Sequence, residues 1–321
     1  NPYLGICGLE RLEQHADAQD VLNSLLLDDP HRERRQFHLI DLDGRSACWT
    51  GADCALLLGL FAFAALRTAS LVFSPLELGV DEAQYWLWST GFDFGYYTKP
   101  PLTSWIIGLS HGLFGHHEWA VRLPAPWLHL ATSLVLWRAA DWLAGPAAGR
   151  IAAMIWMTLP SIALGSFVIS TDTPLLLCWS AGVLALVGVL TGRLRERRGM
   201  LLAGGAFGAA MLAKYAAIYG LAGLALFVLA TSVLSRGKDR QKVIGWRGLG
   251  LFALGMVAVA SPNILWNLAN ELTTVRHLGD NVNLDLRSYS LAGSIDFLAA
   301  QFATAGPVVF ALMFSILRTR R

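Results

Sequence analysis

Eight apolar stretches dominate the chain, each close to the roughly 20 residues a helix needs to cross a bilayer core about 30 Å thick. They run over about 52–73, 123–143, 150–169, 174–192, 199–215, 216–234, 248–266 and 292–316. Backbone N–H and C=O groups in lipid must be satisfied within the segment, so runs of this length are helices. The expected fold class is therefore all-α: a polytopic membrane protein with about eight transmembrane helices. With 55% hydrophobic and only 15% charged residues among 321, and a mean hydropathy of +0.48, the chain has too little polar surface for a water-soluble domain of its size. The run Pro101 to Phe114 is shorter and interrupted by Ser104, Ser110 and His111. It fits a helix lying along the membrane surface within the first outer loop.

The basic residues orient these spans. With residues 1–50 cytoplasmic, all but six of the 25 Lys and Arg fall on the inner side, including those of "RLRERR", "RGKDRQKVIGWR" and the terminal "RTRR". Short loops rich in Lys and Arg stay cytoplasmic, and every short loop here obeys that rule. The six exceptions are Arg67, Lys99, Arg122, Lys214, Arg276 and Arg287. The clusters thus serve orientation, and nothing in them calls for a nucleic-acid partner.

Two regions are expected: a polar cytoplasmic segment over 1–50 and a transmembrane domain over 51–321. The first fifty residues hold an amphipathic patch near Leu22–Leu27 but no signal-peptide run. The chain begins with Asn, so a fragment or a processed form is expected. The cysteines Cys7, Cys48, Cys54 and Cys178 show no paired spacing, which gives neither a disulfide framework nor a thiolate metal site.

Placed on this topology, the unusual residues gather on one side. The first outer loop supplies Asp81, Glu82, Asp93, Tyr97, Lys99 and Arg122; "STDTP" brings Asp172; the outer end of the fifth span brings Lys214 and Tyr215; "SPNILWN" and "VRHLGDN" add Asn263, Trp266, Asn267 and His277. An acidic pair in a loop is ordinarily just solvated. Acids, cations and aromatics delivered by four loops to one leaflet instead describe a polar cavity beside the lipid. Lys214 interrupts the apolar "GAAMLAKYAAIYG", where snorkelling to the interface is the simple alternative to a role in the cavity. His111, His116 and His117 lack zinc-ligand spacing.

The series "DEAQYWLWSTGFDFGYYTKPPLTSW", "VRLPA", "STDTPLLL", "GAAMLAKYAAIYG" and "SPNILWNLANELTTVRHL" resembles bacterial lipid-linked-sugar glycosyltransferases of the GT-C fold. These are relatives of the dolichyl-phosphate-mannose protein mannosyltransferases and of lipid A aminoarabinose transferase. The resemblance covers about Leu71 to Leu278. It implies a GT-C-like bundle with a helical first outer loop, a catalytic carboxylate at Asp81 with Glu82 beside it, and Lys99 holding the lipid phosphate. Arg122 matches the Arg of the family's "VRLP", and Lys214 is expected to join the phosphate site. Asp172, Tyr97, Tyr215, Trp266, Asn267 and His277 are expected to line the cavity on the acceptor side. Family members are commonly longer, so the transmembrane domain is expected to be C-terminally incomplete.

What the resemblance implies is a polyprenyl-phosphate sugar as donor and an envelope lipid, glycan or protein as acceptor. No resident cofactor is expected, and whether a divalent metal joins the acids is left open. The enzyme would sit in the bacterial inner membrane with its active site on the periplasmic side. A phosphate leaving group needs no general acid, so one carboxylate acting as base suffices, with inversion at the anomeric carbon. Neighbouring residues on a helix point about 100° apart, so Asp81 is assigned as base and Glu82 as an orienting or acceptor-side group. A flippase or secondary transporter is the rival reading, although transporters place polar groups at the midplane of related halves. In a background without native cysteines, a Cys at Thr98 is expected to react with an impermeant thiol reagent from outside, and a Cys at Glu196 is not. The reverse labelling would overturn this topology.

Overall fold

The computed structural model describes residues 2–234, 244–281 and 291–305. Contacts divide the chain into two units, Asn1–Phe63 and Ala64–Arg321.

The first unit is folded, where the sequence reading expected only a polar segment. Helices α1 (Pro2–Glu13) and α2 (Ala18–Asp28) pack with a hairpin of β1 (Gln36–Ile40) and β2 (Ser46–Thr50). Leu12, Val21, Leu22, Leu25 and Ala47 form its core. Asp17 caps α2 by accepting from the Gln19 backbone N–H, the local rule for a helix start. Asp41 closes the hairpin turn, accepting from the backbone N–H groups of Asp43 and Arg45, and reaches the Ala18 N–H as well. Strands of five residues carry too short an alternation to stand out beside amphipathic helices, which is why they escaped the hydropathy reading. Helix α3 (Ala52–Val72) begins in this unit and ends in the next.

Among its described residues the second unit contains helices and loops and no strand. After α3 come α4 (Val80–Ser89), α5 (Leu102–Phe114), α6 (Glu118–Arg122), α7 (Pro124–Ala144), α8 (Pro146–Thr158) and α9 (Pro160–Gly165). Then follow α10 (Asp172–Leu190), α11 (Glu196–Ala213), a single 3₁₀ turn at Tyr215–Ala217, α12 (Ile218–Leu234), α13 (Trp246–Ala269), α14 (Thr273–Asn281) and α15 (Leu291–Ala305). Helix α11 packs between α10 and α13, and α7 packs on α8 and α10. All expected spans coincide with helices, the last only in part, since 306–316 lie outside the described residues. By length and apolarity alone, four qualify as crossing a membrane: Ala52–Val72, Asp172–Leu190, Tyr215–Val233 and Trp246–Ala269. The stretch expected at 150–169 is divided because Pro160 interrupts the helix between α8 and α9. Arg67 bridges that break, donating to the Met157 carbonyl and the Ser166 hydroxyl at 2.7 and 3.0 Å.

Helix α5 is built inside out. Thr103, Ser104, Ile107 and Ser110 are buried, while Leu109 and Leu113 are exposed. A helix that turns its leucines outward and its hydroxyls inward has lipid, not water, on its free side.

Helices α11 and α13 touch backbone to backbone. A Cβ on Gly204 would lie 2.0 Å from the Phe252 carbonyl oxygen, and one on Gly208 would lie 2.5 Å from that of Met256. Without a hydrophobic force between helices in lipid, such small-residue contacts are what hold the pair. Gly204→Ala is therefore expected to cost roughly 1–3 kcal/mol and lower the melting midpoint in detergent. Gly205→Ala, whose added carbon meets only Val259 at 3.6 Å, should leave the midpoint unchanged or raise it.

Candidate active site

Helix α4 starts where it does because Gly79 adopts an extended conformation at the N-cap and Glu82, at the third helical position, accepts its backbone N–H at 2.9 Å. This is half of a capping box. Both Asp81 and Glu82 lie in the first turn, where the helix dipole favours negative charge. Their fates then differ: Asp81 is exposed and Glu82 is only 2% exposed.

Glu82 is satisfied on every side. One oxygen accepts from Arg122 Nε at 2.9 Å and the Ile169 backbone N–H at 3.0 Å. The other accepts from Arg122 Nη2 at 2.7 Å and the Gly79 backbone N–H. Arg122, itself 4% exposed, also donates Nη1 to the Leu76 carbonyl and Nη2 to the Glu77 carbonyl. The Glu82 carboxylate holds the Arg122 guanidinium above its usual pKa. The structure thus gives Arg122 a different task from the phosphate contact expected of it: its nitrogens are committed to one buried carboxylate and two carbonyls. Glu82 is likewise committed, to Arg122 and to two backbone N–H groups.

The same carboxylate fixes the segment that leads into Asp172. Ile169 is tied to Glu82, and the Ser170 hydroxyl accepts the Asp172 backbone N–H at 3.2 Å. Tyr85, one turn after Asp81 on the same face, is buried and hydrogen-bonded to the Thr171 side chain. Burial, and then the charges of Asp81 and Asp172, push its hydroxyl up to about 12. The Tyr85 phenol thus stays neutral under the charge of both Asp81 and Asp172. Lys214 closes the group by a two-pronged contact to Asp172, at 2.8 and 3.1 Å, and both side chains remain about half exposed. The Lys caught in the apolar stretch thus has a carboxylate partner.

Lys99 is half-buried and makes no ion pair among the described residues. Its loop is anchored beside α4, where the Thr98 hydroxyl meets Gln84 at 3.4 Å. The remaining expected residues support that loop. Asn263 donates to the Phe94 carbonyl at 2.7 Å, Thr274 to the Tyr96 carbonyl at 2.6 Å, and Tyr215 to Asn263 at 2.7 Å. Asn267 donates to the Tyr215 oxygen at 3.0 Å. Trp266 presses on Gly95, where an added Cβ would come within 2.3 Å of its ring. Tyr97 and His277 meet ring to ring at 5.2 Å. These contacts hold the loop between α4 and α5 against α13 and α14.

Tyr85, Thr171 and Thr274 were not singled out by the sequence reading. The i, i+4 spacing of Asp81 and Tyr85 was the available signal for the first. Thr171 and Thr274 carry none. Among the described residues, no three of His, Cys, Asp and Glu gather closely enough to hold a metal ion.

The family model for dolichyl-phosphate-mannose-protein mannosyltransferases matches residues 98–266, just over half of the chain. The chain belongs to that family. A second model, for a family of unknown function (DUF1028), matches residues 1–66. Lipid A galacturonosyltransferase RgtD of Rhizobium johnstonii is 35% identical over 271 residues, covering 83% of this chain and 54% of that protein. The chain thus spans about half the length of this curated relative. The crystal structure of ArnT from Cupriavidus metallidurans in the apo state superposes with a TM-score of 0.66 at 20% identity, over 84% of this chain and 52% of that one. The fold is accordingly GT-C.

Arg122→Met strands a buried carboxylate and is expected to cost about 3–5 kcal/mol, read as a lower melting midpoint in detergent. Lys99→Met should leave that midpoint near the parent value. An equal loss in both variants would make Lys99 structural as well.

Proposed function

We propose that the chain transfers a sugar from a polyprenyl-phosphate carrier to a hydroxyl of an envelope lipid, glycan or protein, inverting the anomeric carbon. The reaction takes place on the periplasmic face of the bacterial inner membrane. The observation that carries this reading is the contrast between two pairs of groups. Glu82 and Arg122 are buried and mutually satisfied, and Asp172 is neutralised by Lys214. Asp81 and Lys99 are left as the acid and the cation of the site without an ion-pair partner among the described residues. A carboxylate and an ammonium held in this way match a reaction that removes one proton and releases one phosphate.

In this mechanism Asp81 takes the proton of the acceptor hydroxyl as its oxygen attacks the anomeric carbon. The bond from that carbon to the carrier phosphate oxygen breaks, and the electron pair leaves with the phosphate. Lys99 stabilises the charge growing there, at no cost in reorganisation because its loop is already braced. Lys214 orients Asp172, and Asp172 with Tyr85 fixes the acceptor beside Asp81. The distribution of basic residues supports the periplasmic placement. The name of RgtD, a lipid A galacturonosyltransferase, favours a glycolipid among the acceptors.

Asp81→Asn keeps the shape and removes the base, so transfer should fall about 10²-fold or more while donor binding stays intact. Lys99→Met should both weaken donor affinity and slow transfer, because the charge matters in the bound state and more as phosphate departs. Lys99→Arg should retain part of the activity, since it keeps the charge but changes the donor geometry. The measurement is release of free polyprenyl phosphate from a labelled donor in detergent, with extracted envelope lipids and proteins as acceptors. Normal turnover in Asp81→Asn would shift the base to Asp172. A parent protein that releases no carrier phosphate with any acceptor, yet moves intact lipid across a reconstituted bilayer, would be a flippase.

A further inference from the structure

A second charged site lies at the other end of the α10–α11 pair. Helix α10 starts at Asp172, beside the carboxylates, and runs 19 residues to Leu190, a length of roughly 28 Å at 1.5 Å per residue. Helix α11 returns from Glu196 to Ala213, next to Lys214. The turn joining them is therefore about one bilayer thickness from the proposed active site. It is tight: Gly192 takes a left-handed φ of 71°, and the Leu194 N–H bonds the Gly188 carbonyl at 2.8 Å.

This turn opens onto a cavity of about 740 Å³ lined by Arg193, Arg195, Arg197, Arg198, Leu201 and Leu202, with Leu194 completing the wall. Four guanidinium groups within six residues repel one another unless something negative lies between them. Among the described residues, none of the four has a carboxylate partner. Glu196, the acid within the turn, lies against Gly248 at the start of α13, where an added Cβ would meet its carboxylate at 2.9 Å. Arg193 is held in place over the Trp142 ring, its guanidinium carbon 5.4 Å from the centroid. Beside the charges, Leu190 and Leu202 are each about half exposed, which water does not favour and acyl chains do.

We propose that this cavity binds the headgroup of a phospholipid bearing two phosphates, of the diphosphatidylglycerol type, in the leaflet opposite the active site. Planar guanidinium forks grip phosphate oxygens in pairs, and four of them match two phosphates better than one. The leucines lie where the acyl chains leave the headgroup. A zwitterionic lipid would bring an ammonium into the arginine cluster and is disfavoured there. Bound in this way, the lipid joins the ends of α10 and α11, the two helices that carry Asp172 and Lys214 at their opposite ends.

The test is native mass spectrometry of the purified full chain in detergent, titrated with diphosphatidylglycerol or with phosphatidylethanolamine. The expected result is one diphosphatidylglycerol retained per chain and no comparable retention of phosphatidylethanolamine. In the triple variant Arg195→Gln/Arg197→Gln/Arg198→Gln, retention should weaken roughly a hundredfold, from about fivefold per basic group, and the triple Lys variant should recover part of it. Equal retention of the two lipids by the parent protein would overturn the proposal without reference to any variant. Unchanged retention in a triple Gln variant that melts like the parent would overturn it too. Displacement of the lipid by millimolar inorganic diphosphate would assign the cavity to a soluble anion instead.

Discussion

The segments around the candidate active site hang on one buried ion pair. Glu82 and Arg122 are each under 5% exposed, and removing both from water carries a large desolvation penalty that only dense hydrogen bonding offsets. That bonding is present. It draws together the loop before α4, the start of α4, α6 and the segment ahead of Asp172. The pair is therefore less a source of net stability than a device for uniqueness: few other arrangements of these four segments would satisfy both charges. Asp81 gains its position from this arrangement without taking part in it.

How much of this the sequence disclosed depends on the range of the force involved. The helices were legible because burial in lipid imposes a length and an apolarity that each segment must meet alone. The capping of α4 by Glu82 was in principle legible too, since it acts over three residues. The division of labour among the cations was not. Lys99, Arg122 and Lys214 look alike in sequence, and only packing reveals that Arg122 is sealed against Glu82, Lys214 rests on Asp172 and Lys99 stands apart. The contact of Trp266 with Gly95 and that of Asn267 with Tyr215 were equally hidden, because each joins residues far apart in the chain. The fold of residues 1–50 was missed for another reason: its core is small, and its strands are no longer than the noise in an alternating pattern.

Asp81 and Asp172 differ in how their charge is met. Asp172 shares its charge with Lys214, whereas Asp81 has no ion-pair partner among the described residues, and the buried Tyr85 phenol stays protonated. The site is thus neither a symmetric acid pair nor a lone carboxylate but a graded set, in which a single member remains uncommitted.

The bracing of the Lys99 loop has a consequence for how the protein is made. Phe94 is held by Asn263 and Tyr96 by Thr274, partners 169 and 178 residues further along the chain. A ribosome adding roughly 5–20 residues per second needs on the order of 10–30 s to reach them after the loop has emerged. Throughout that interval the loop is without these two supports, while the helices from α5 through α13 are still being made. Insertion order therefore sets when this loop can take its braced form: not before α13 and α14 have both been made.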